Sequence, residues 1–426
     1  MFLLAFPALA EASNDAGSNI IIDAQALLLV VGAALVFFMQ AGFALLESGF
    51  VRSKNAVNVI MKNYTDMAFG MIIYWAFGYA LMFGTNTTGL IGMSEFMPDL
   101  ESNSDLLGLL YQMMFAATAA TIISGAVAER MRFWAYIFTS VFVTGLIYPI
   151  FGSWAWGGNE TTGFGWLNGL GFIDFAGSTV VHSIGGWCAL AAVIVLKPRL
   201  GRFGSNNSVR DIPGHNLTMV ALGGFILWFG WFGFNGASIT SSEQSLGLIL
   251  INTQLAAAAG VVAVIAIMAI SRKPILISQA VNGSLAGLVA ITAGAATMSP
   301  GFALLTGLIA GVVVILFNNL LLRMGIDDVV GAVGVHGASG AWGTLAAGIF
   351  YQGDLFNMSR IAVQFFGVVA AFVWAFGVGF IVYKAIDMMI GIRAPSLHEQ
   401  HGLDYTEHAE LGYPEFQKNL THSGEV

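Results

Sequence analysis

Charged residues are scarce in this chain. Asp, Glu, Lys and Arg together make up only 9% of its 426 residues, whereas soluble domains average about 25%. So small a share excludes an ordinary soluble enzyme, and the hydrophobic content of 57% indicates helices that cross a lipid bilayer. The net charge of −8 lies mostly in loops and in the C-terminal tail, and nucleic acid is not an expected partner.

Cysteines and catalytic constellations are also few. The single cysteine, Cys188, lies in an apolar stretch, which excludes a disulfide framework and favours a small core residue over a reactive thiol. The sequence has no nucleophile–base set and no cluster with metal-ligand spacing, so we expect no enzyme activity, cofactor or metal. Glycine is abundant, with 53 residues, and small residues let membrane helices approach closely.

Long apolar runs divide the chain into predicted spans, because about 20 apolar residues are needed to cross the hydrocarbon core. We predict an all-α polytopic membrane protein with eleven transmembrane helices at 21–50, 54–84, 105–129, 133–156, 175–197, 216–239, 245–271, 275–298, 301–323, 331–352 and 359–392.

Basic residues predict the orientation of these spans. They lie on one side of an eleven-span arrangement, with only Arg360 on the other. By the positive-inside rule the N-terminus is then outside and the C-terminus cytoplasmic. Lys62 is counted here with the first cytoplasmic connection. Residues 1–19 are expected to be a signal-peptide remnant and a periplasmic N-terminus, because a short apolar stretch precedes a possible cleavage site at residues 8–10.

Two histidines occupy similar segments within apolar runs. His182 lies in STVVHSIGGW and His336 in AVGVHGASGAW. An ionisable residue at this depth is a functional hypothesis by default, and its repetition predicts an inverted repeat with a shared central site. Depths of about 12 Å and about 10 Å from the helix ends would bring both side chains near the membrane midplane. Two unrelated buried histidines, each bonded to a backbone carbonyl, remain the alternative.

The repeat defines the predicted organisation of the chain as 5+5 spans plus one C-terminal helix. The parts are a first half at 20–198, a cytoplasmic loop at 199–215, a second half at 216–352, the last span within 353–392 and a cytoplasmic tail at 393–426.

Several motifs carry a family resemblance. They are DFAGSTVVH from Asp174, WFGFNGAS from Trp231, GAVAERMRF from Gly125, VHGASG from Val335 and HGLDYTEHAE from His401. With these motifs the chain resembles the ammonium transporters of the Amt/Mep/Rh family, and specifically the bacterial Amt branch, from about Ile20 to Tyr405. The resemblance implies a homotrimer in the inner membrane, each protomer with its own pore, and a tail that supports docking of a cytoplasmic PII signal protein.

The resemblance also implies roles for individual residues. Trp156, Phe115 and Ser238 match an outer site that recruits NH4+, where an aromatic face attracts a desolvated cation by about 2 kcal/mol. Phe115 and Phe234 match a phenylalanine gate, and Tyr111 lies one turn above Phe115. The alternative for Trp156 is a membrane-interface anchor, and that for the phenylalanines is ordinary helix packing.

Three acidic or substituted positions need separate interpretation. Asp174 begins the fifth predicted span, and an N-cap is favoured over direct ion contact. Glu129 and Arg130 are expected to form a structural ion pair at a cytoplasmic turn. The position five residues before His336, often acidic in the family, is Gly331 here, which puts a carboxylate at the cytoplasmic exit in doubt.

Energetics favour a mechanism in which NH4+ loses a proton at the gate. A bare cation at the bilayer centre costs about 2.5–3.5 kcal/mol on insertion scales. Neutral NH3 would cross the apolar stretch, guided by neutral imidazoles that offer both a donor and an acceptor, and the proton could be relayed separately. An ammonium sensor and an Rh-like neutral gas channel remain alternatives. The short tail of about 34 residues disfavours the sensor, and the cation site disfavours the gas channel.

Overall fold

A computed structural model describes residues 14–158, 161–205 and 208–416. Regular structure in these ranges is helical, and the only β pairing there consists of two isolated bridges. The possible cleavage site at residues 8–10 lies outside the described residues. The α-helices are α1 Asn14–Phe50, α2 Ala56–Ile73, α3 Tyr79–Phe83, α4 Asn103–Ala126, α5 Phe133–Phe142, α6 Tyr148–Trp156, α7 Trp166–Gly169, α8 Ile184–Leu196, α9 Leu217–Gly236, α10 Leu246–Ile270, α11 Ile277–Ile291, α12 Pro300–Arg323, α13 Ser339–Ile349, α14 Met358–Ile390, α15 Ser396–His401 and α16 Leu403–His408.

Four wider π-helical turns interrupt or begin these helices. They are Tyr74–Gly78 between α2 and α3, Val143–Ile147 between α5 and α6, Ser178–Ser183 before α8, and Val333–Ala338 before α13. Short 3-10 turns occur at Ser53–Asn55 and Pro414–Phe416. Single π turns often mark functional positions in helices, and both histidines singled out from the sequence lie in one.

Nine helical segments in the described ranges are long and apolar enough to cross a membrane. The predicted spans agree closely with them, and Phe133–Trp156 coincides with the prediction 133–156. The two remaining predicted spans are shorter. The helix Ile277–Ile291 gives way to a turn, and the other consists of Val333–Ala338 and α13. Length and apolarity therefore identify nine candidate spans in the described ranges, and the count of eleven stays a prediction.

Polar groups at one end of the bundle pair differently from the sequence-based expectation. Glu129 does not pair with Arg130 but with Arg52 at 2.6 Å and Arg199 at 3.4 Å. Arg130 instead donates to backbone carbonyls, including that of Asp327 at 2.6 Å. Although burial raises the pKa of the Glu129 carboxyl, Arg199 and Arg52 hold it below its usual range. We call the end of the bundle that holds these polar groups the Arg130 end, and the opposite end the Trp156 end.

Lys62, counted with the basic residues around the first connection, lies inside α2. Its side chain is fully buried, and its ammonium group donates to the backbone carbonyl of Met131 at 2.9 Å. The first connection ends at Asn55, so Lys62 lies within the predicted span 54–84 and not in that connection.

The C-terminal tail packs under the Arg130 end. The Asp404 carboxylate accepts a hydrogen bond from the backbone N–H of Asn58 at 2.8 Å, which caps the start of α2. The Glu399 carboxylate pairs with Arg393 at 2.7 Å and accepts from the backbone N–H of Leu200 at 2.7 Å. These contacts join the tail to two separate parts of the bundle.

Candidate functional site

The first histidine segment is anchored by an acidic residue at the Trp156 end. The Asp174 carboxylate accepts hydrogen bonds from the backbone N–H groups of Gly177, Thr179 and Val180 at 3.1, 2.9 and 2.8 Å. This is the capping geometry that satisfies free donors at a helix start. Burial raises the pKa of Asp174 to about 6, against the lowering effect of these hydrogen bonds.

The second histidine segment is anchored in the same way at the opposite end. The Asp328 carboxylate accepts from the backbone N–H groups of Gly331 at 3.0 Å and Val333 at 2.8 Å. Gly331 has a φ of +82°, and Gly177 has a φ of +109°. Residues other than glycine are strained at such positive φ angles. The glycine at the often acidic position thus serves the turn, and Asp328 is engaged in capping.

The two histidines meet in the middle of the bundle. Their Nδ1 atoms are 3.3 Å apart, and their rings are 5.3 Å apart at 27°. His182 is fully buried, and only 4% of His336 is exposed. A contact between two ring nitrogens is a hydrogen bond when one carries the proton and the other does not, which a pair of neutral imidazoles provides.

Glycines permit this approach of the two segments. A Cβ atom added to Gly186 in α8 would lie 2.2 Å from the backbone nitrogen of Gly337. Any larger residue would push the segments apart, because a core this dense cannot absorb such an overlap. Gly186 lies one turn beyond His182, so the backbone contact also determines the spacing of the imidazoles.

Aromatic rings extend from the histidine pair toward the Trp156 end. The rings of Phe115 and Phe234 are stacked with centroids 4.1 Å apart. Phe234 in turn lies 5.1 Å from the ring of His182. Both phenylalanines are buried, so they form a closed, apolar layer directly above the imidazoles.

Trp156, Tyr111 and Ser238 lie above the phenylalanine layer. Trp156 lies 6.4 Å from Phe115 in an edge-on arrangement, and its indole N–H donates to the backbone carbonyl of Asp174 at 2.7 Å. The Tyr111 hydroxyl lies 3.2 Å from that of Ser238. The structure therefore brings all the residues selected from the sequence into one continuous column.

Two further residues of the column were not predicted. Trp231 packs against His182 with ring centroids 5.1 Å apart, and Phe43 lies 6.2 Å from His336 on the Arg130 side. Trp231 begins the WFGFNGAS motif, which was a usable signal. Phe43 is one of 33 phenylalanines and has no local signature.

Comparison with known proteins agrees with this geometry. The family model described as Ammonium Transporter Family matches residues 27–413. The chain belongs to this family. It is a multi-pass membrane protein, as the apolar helices require. It is 44% identical over 410 residues to Ammonium transporter Amt2 of Archaeoglobus fulgidus, covering 90% of this chain and 86% of the relative.

Solved structures of the family share the fold. One named Sensor Amt Protein superposes with a TM-score of 0.88 at 40% identity, covering 92% of this chain and 100% of that one. Mep2 of Candida albicans gives a TM-score of 0.79 at 28% identity, covering 88% of this chain and 86% of that one.

Proposed function

We propose that this protein transports ammonium across the inner membrane of the cell. The observation that carries the proposal is the unbroken column from Trp156 through the Phe115–Phe234 stack to the two imidazoles. Such a column suits a small cation that can give up a proton, because its aromatic rings attract the cation and its imidazoles can hydrogen-bond to the deprotonated form. Membership of the ammonium transporter family supports the substrate, as does the relative in Archaeoglobus fulgidus that is named an ammonium transporter.

In the proposed route, NH4+ is recruited at the Trp156 end. The indole face of Trp156 and the ring of Phe115 attract the cation, and the Ser238 hydroxyl accepts one of its hydrogen bonds. The nearby carboxylate of Asp174 adds a negative field without touching the substrate. The cation loses its proton at the Phe115–Phe234 gate, because beyond that point the described column offers only apolar surface and two neutral imidazoles, and no group of opposite charge.

NH3 then passes along the histidine pair. Neutral imidazoles present a donor and an acceptor to the ammonia molecule. K+ has no proton to release, so it faces the full cost of dehydration. The proton of NH4+ reaches the other side by a separate relay.

The proposed membrane topology has eleven spans, with the N-terminus outside and the C-terminus cytoplasmic. The shorter helices at Ile277–Ile291 and at Val333–Ala338 with α13 would be the eighth and tenth spans. Residues 20–198 and 216–352 would be the inverted halves, joined by the loop 199–215, with 1–19 outside, 353–392 as the last span and 393–426 as the tail. The matched caps of the two histidine segments support this division.

The proposed assembly is a homotrimer in the lipid bilayer. A cytoplasmic PII protein would bind to it through the C-terminal tail. Ordered contacts of the tail with α2 and with the backbone of Leu200 support a coupling role. Association of the trimer is tested by mass photometry of the purified protein in detergent.

Purified protein in proteoliposomes tests the transport proposal. A jump in external ammonium should evoke a current, and the same jump in K+ should not. Methylammonium serves as a control for cation size. Absence of both current and ammonium uptake from folded protein would contradict the proposal.

Two alternatives remain as outcomes of this experiment. The solved structure named Sensor Amt Protein matches over its full length, and a sensor would bind ammonium without sustained transport. An Rh-like gas channel would give ammonia flux, measured as a change of internal pH, without current.

A further inference from the structure

A carboxyl group lies beyond the histidine pair, toward the Arg130 end. Glu47 is one helical turn after Phe43 on α1, and the ring of Phe43 contacts that of His336. A Cβ atom on Gly125 would lie 3.1 Å from Cδ of Glu47 and 2.7 Å from a methyl group of Val330. Glu47 therefore packs beside the residues that lead into the second histidine segment.

The partners of Glu47 are neutral. The Asn63 amide donates to its carboxylate at 2.8 Å, and the Ser124 hydroxyl donates to the same oxygen. Only 1% of Glu47 is exposed, and no Lys or Arg in the described ranges lies within ion-pairing distance of it. Because no fixed cation holds it charged, this carboxyl can change its protonation state without breaking an ion pair.

A second buried carboxyl, that of Asp66, also has hydroxyl partners. The Tyr136 hydroxyl donates to Asp66, and Asp66 accepts a further hydrogen bond from Thr121 at 3.0 Å. For Glu47 itself, the hydroxyl in direct contact is that of Ser124. A hydroxyl bonded to a carboxylate can pass a proton to it, so Ser124 is the group through which Glu47 can be reprotonated.

Other charged groups around Glu47 are held elsewhere. On α2 the Lys62 ammonium is bonded to the carbonyl of Met131. The only other titratable groups that face Glu47 in the described ranges are Asp66, Tyr136 and, across Phe43, His336. Helix α9, which packs along α1, has no titratable side chain.

We propose that Glu47 exchanges a proton with ammonia at the inner end of the pore. The nitrogen lone pair of NH3 takes the proton of the Glu47 carboxyl, so that an O–H bond breaks and an N–H bond forms. NH4+ leaves toward the Arg130 end, and the carboxylate accepts its hydrogen bonds until it departs. The carboxylate then regains the proton that NH4+ released at the Trp156 end. It receives this proton through the Ser124 hydroxyl, which passes one proton on as it takes up another.

This inference rests on the proposed transport of ammonium, and it supplies the inner acidic group that Gly331 does not. The test uses Glu47→Gln in proteoliposomes, with ammonium-evoked current recorded over a series of internal pH values. The current should fall about a hundredfold, as when a positioned acid–base group is lost, and its dependence on internal pH should disappear. Glu47→Asp should retain both.

Ser48→Ala is the matched control. Its hydroxyl is the buried neighbour of Glu47 and has no hydrogen-bond partner in the described ranges, so the variant should behave like the wild type. Wild-type current and wild-type pH dependence in Glu47→Gln would overturn the proposal. An equal loss in Glu47→Asp, in folded protein, would overturn it as well.

Ser124→Ala covers the case in which Glu47→Gln does not fold. It removes the hydroxyl that donates to the Glu47 carboxylate, so a reduced current supports the proton transfer and an unchanged current overturns it. Failure of the transport proposal is distinguishable, because the wild-type protein itself would then give no ammonium current.

Discussion

Asp174 and Asp328 occupy equivalent positions, each eight residues before one of the paired histidines. Each carboxylate accepts hydrogen bonds from the backbone N–H groups three and five residues further along. Each first partner is a glycine with a positive φ. The same local arrangement thus positions both imidazoles, from opposite ends of the bundle, so that they lie side by side.

Protonation of Asp174 should weaken ammonium recruitment. Burial raises its pKa to about 6, so the carboxylate is charged above that pH and neutral below it. The apparent affinity for NH4+ should therefore fall as the external pH drops from about 7 to about 5. Current–concentration curves over this range measure the effect. Asp354→Asn, an exposed carboxyl near the start of α14, should leave the pH dependence intact.

Replacing Trp156 by Leu should raise the ammonium concentration that gives half-maximal current. Loss of one cation–π contact of about 1 kcal/mol corresponds to roughly a fivefold change. Trp154→Leu is the matched control, because the indole of Trp154 bonds to Leu90 and packs on Trp166 and Trp374. Equal curves for Trp156→Leu and the wild type would exclude Trp156 from recruitment.

Gly186→Ala should destabilise the protein. The added methyl group would lie 2.2 Å from the backbone of Gly337, and such overpacking costs about 1–3 kcal/mol. Thermal unfolding in detergent should show a lower Tm than for Gly377→Ala, where a Cβ meets nothing within 4 Å. An unchanged Tm would mean that the two histidine segments can separate without cost.

Sequence reasoning predicted the helices and their ends well, because long apolar runs depend on local composition. It also selected His182 and His336, because each stands alone in an apolar motif. The π-helical turns that carry them were not predicted, since no residue type marks such a turn. Apolarity and length also could not distinguish the helix Ile277–Ile291 from a longer span that includes its following turn.

Pairings between distant segments were the weakest predictions. Glu129 and Arg130 are adjacent in sequence, yet the positive φ of Glu129 turns the two side chains toward different partners. The network of Glu47 and Asp66 was missed for a related reason. Its members come from four separate helices, α1, α2, α4 and α5, whereas charge counting along the sequence treats each of them singly.

Truncation after Ile392 should leave the membrane helices folded but weaken transport. It removes Asp404, which caps α2, and Glu399, which contacts the backbone of Leu200. Loss of a helix cap costs about 1 kcal/mol, too little to unfold the bundle. Current and PII pulldown are compared with a chain that ends after Phe416, which retains these contacts. Full activity and unchanged PII binding in the shorter chain would exclude a coupling role.

Replacing either His182 or His336 by Ala should reduce ammonium transport sharply or admit K+. Each substitution removes one partner of the 3.3 Å contact between Nδ1 atoms and would break the proposed polar path through the apolar column. Water that fills the gap would carry cations and abolish selectivity. The double variant should be little worse than either single variant, because residues that act as a unit are not additive.

Ammonium current and K+ flux are measured for both single variants and the double variant, each first shown to be folded by its Tm. Phe43→Leu is a useful comparison, because it keeps an apolar side chain next to His336 and should preserve K+ exclusion. If both single variants transport ammonium at the wild-type rate and still reject K+, the imidazoles only pack the core. The proton-stripping mechanism would then be wrong, since no other donor–acceptor pair in the described column lies between the Phe115–Phe234 stack and Phe43.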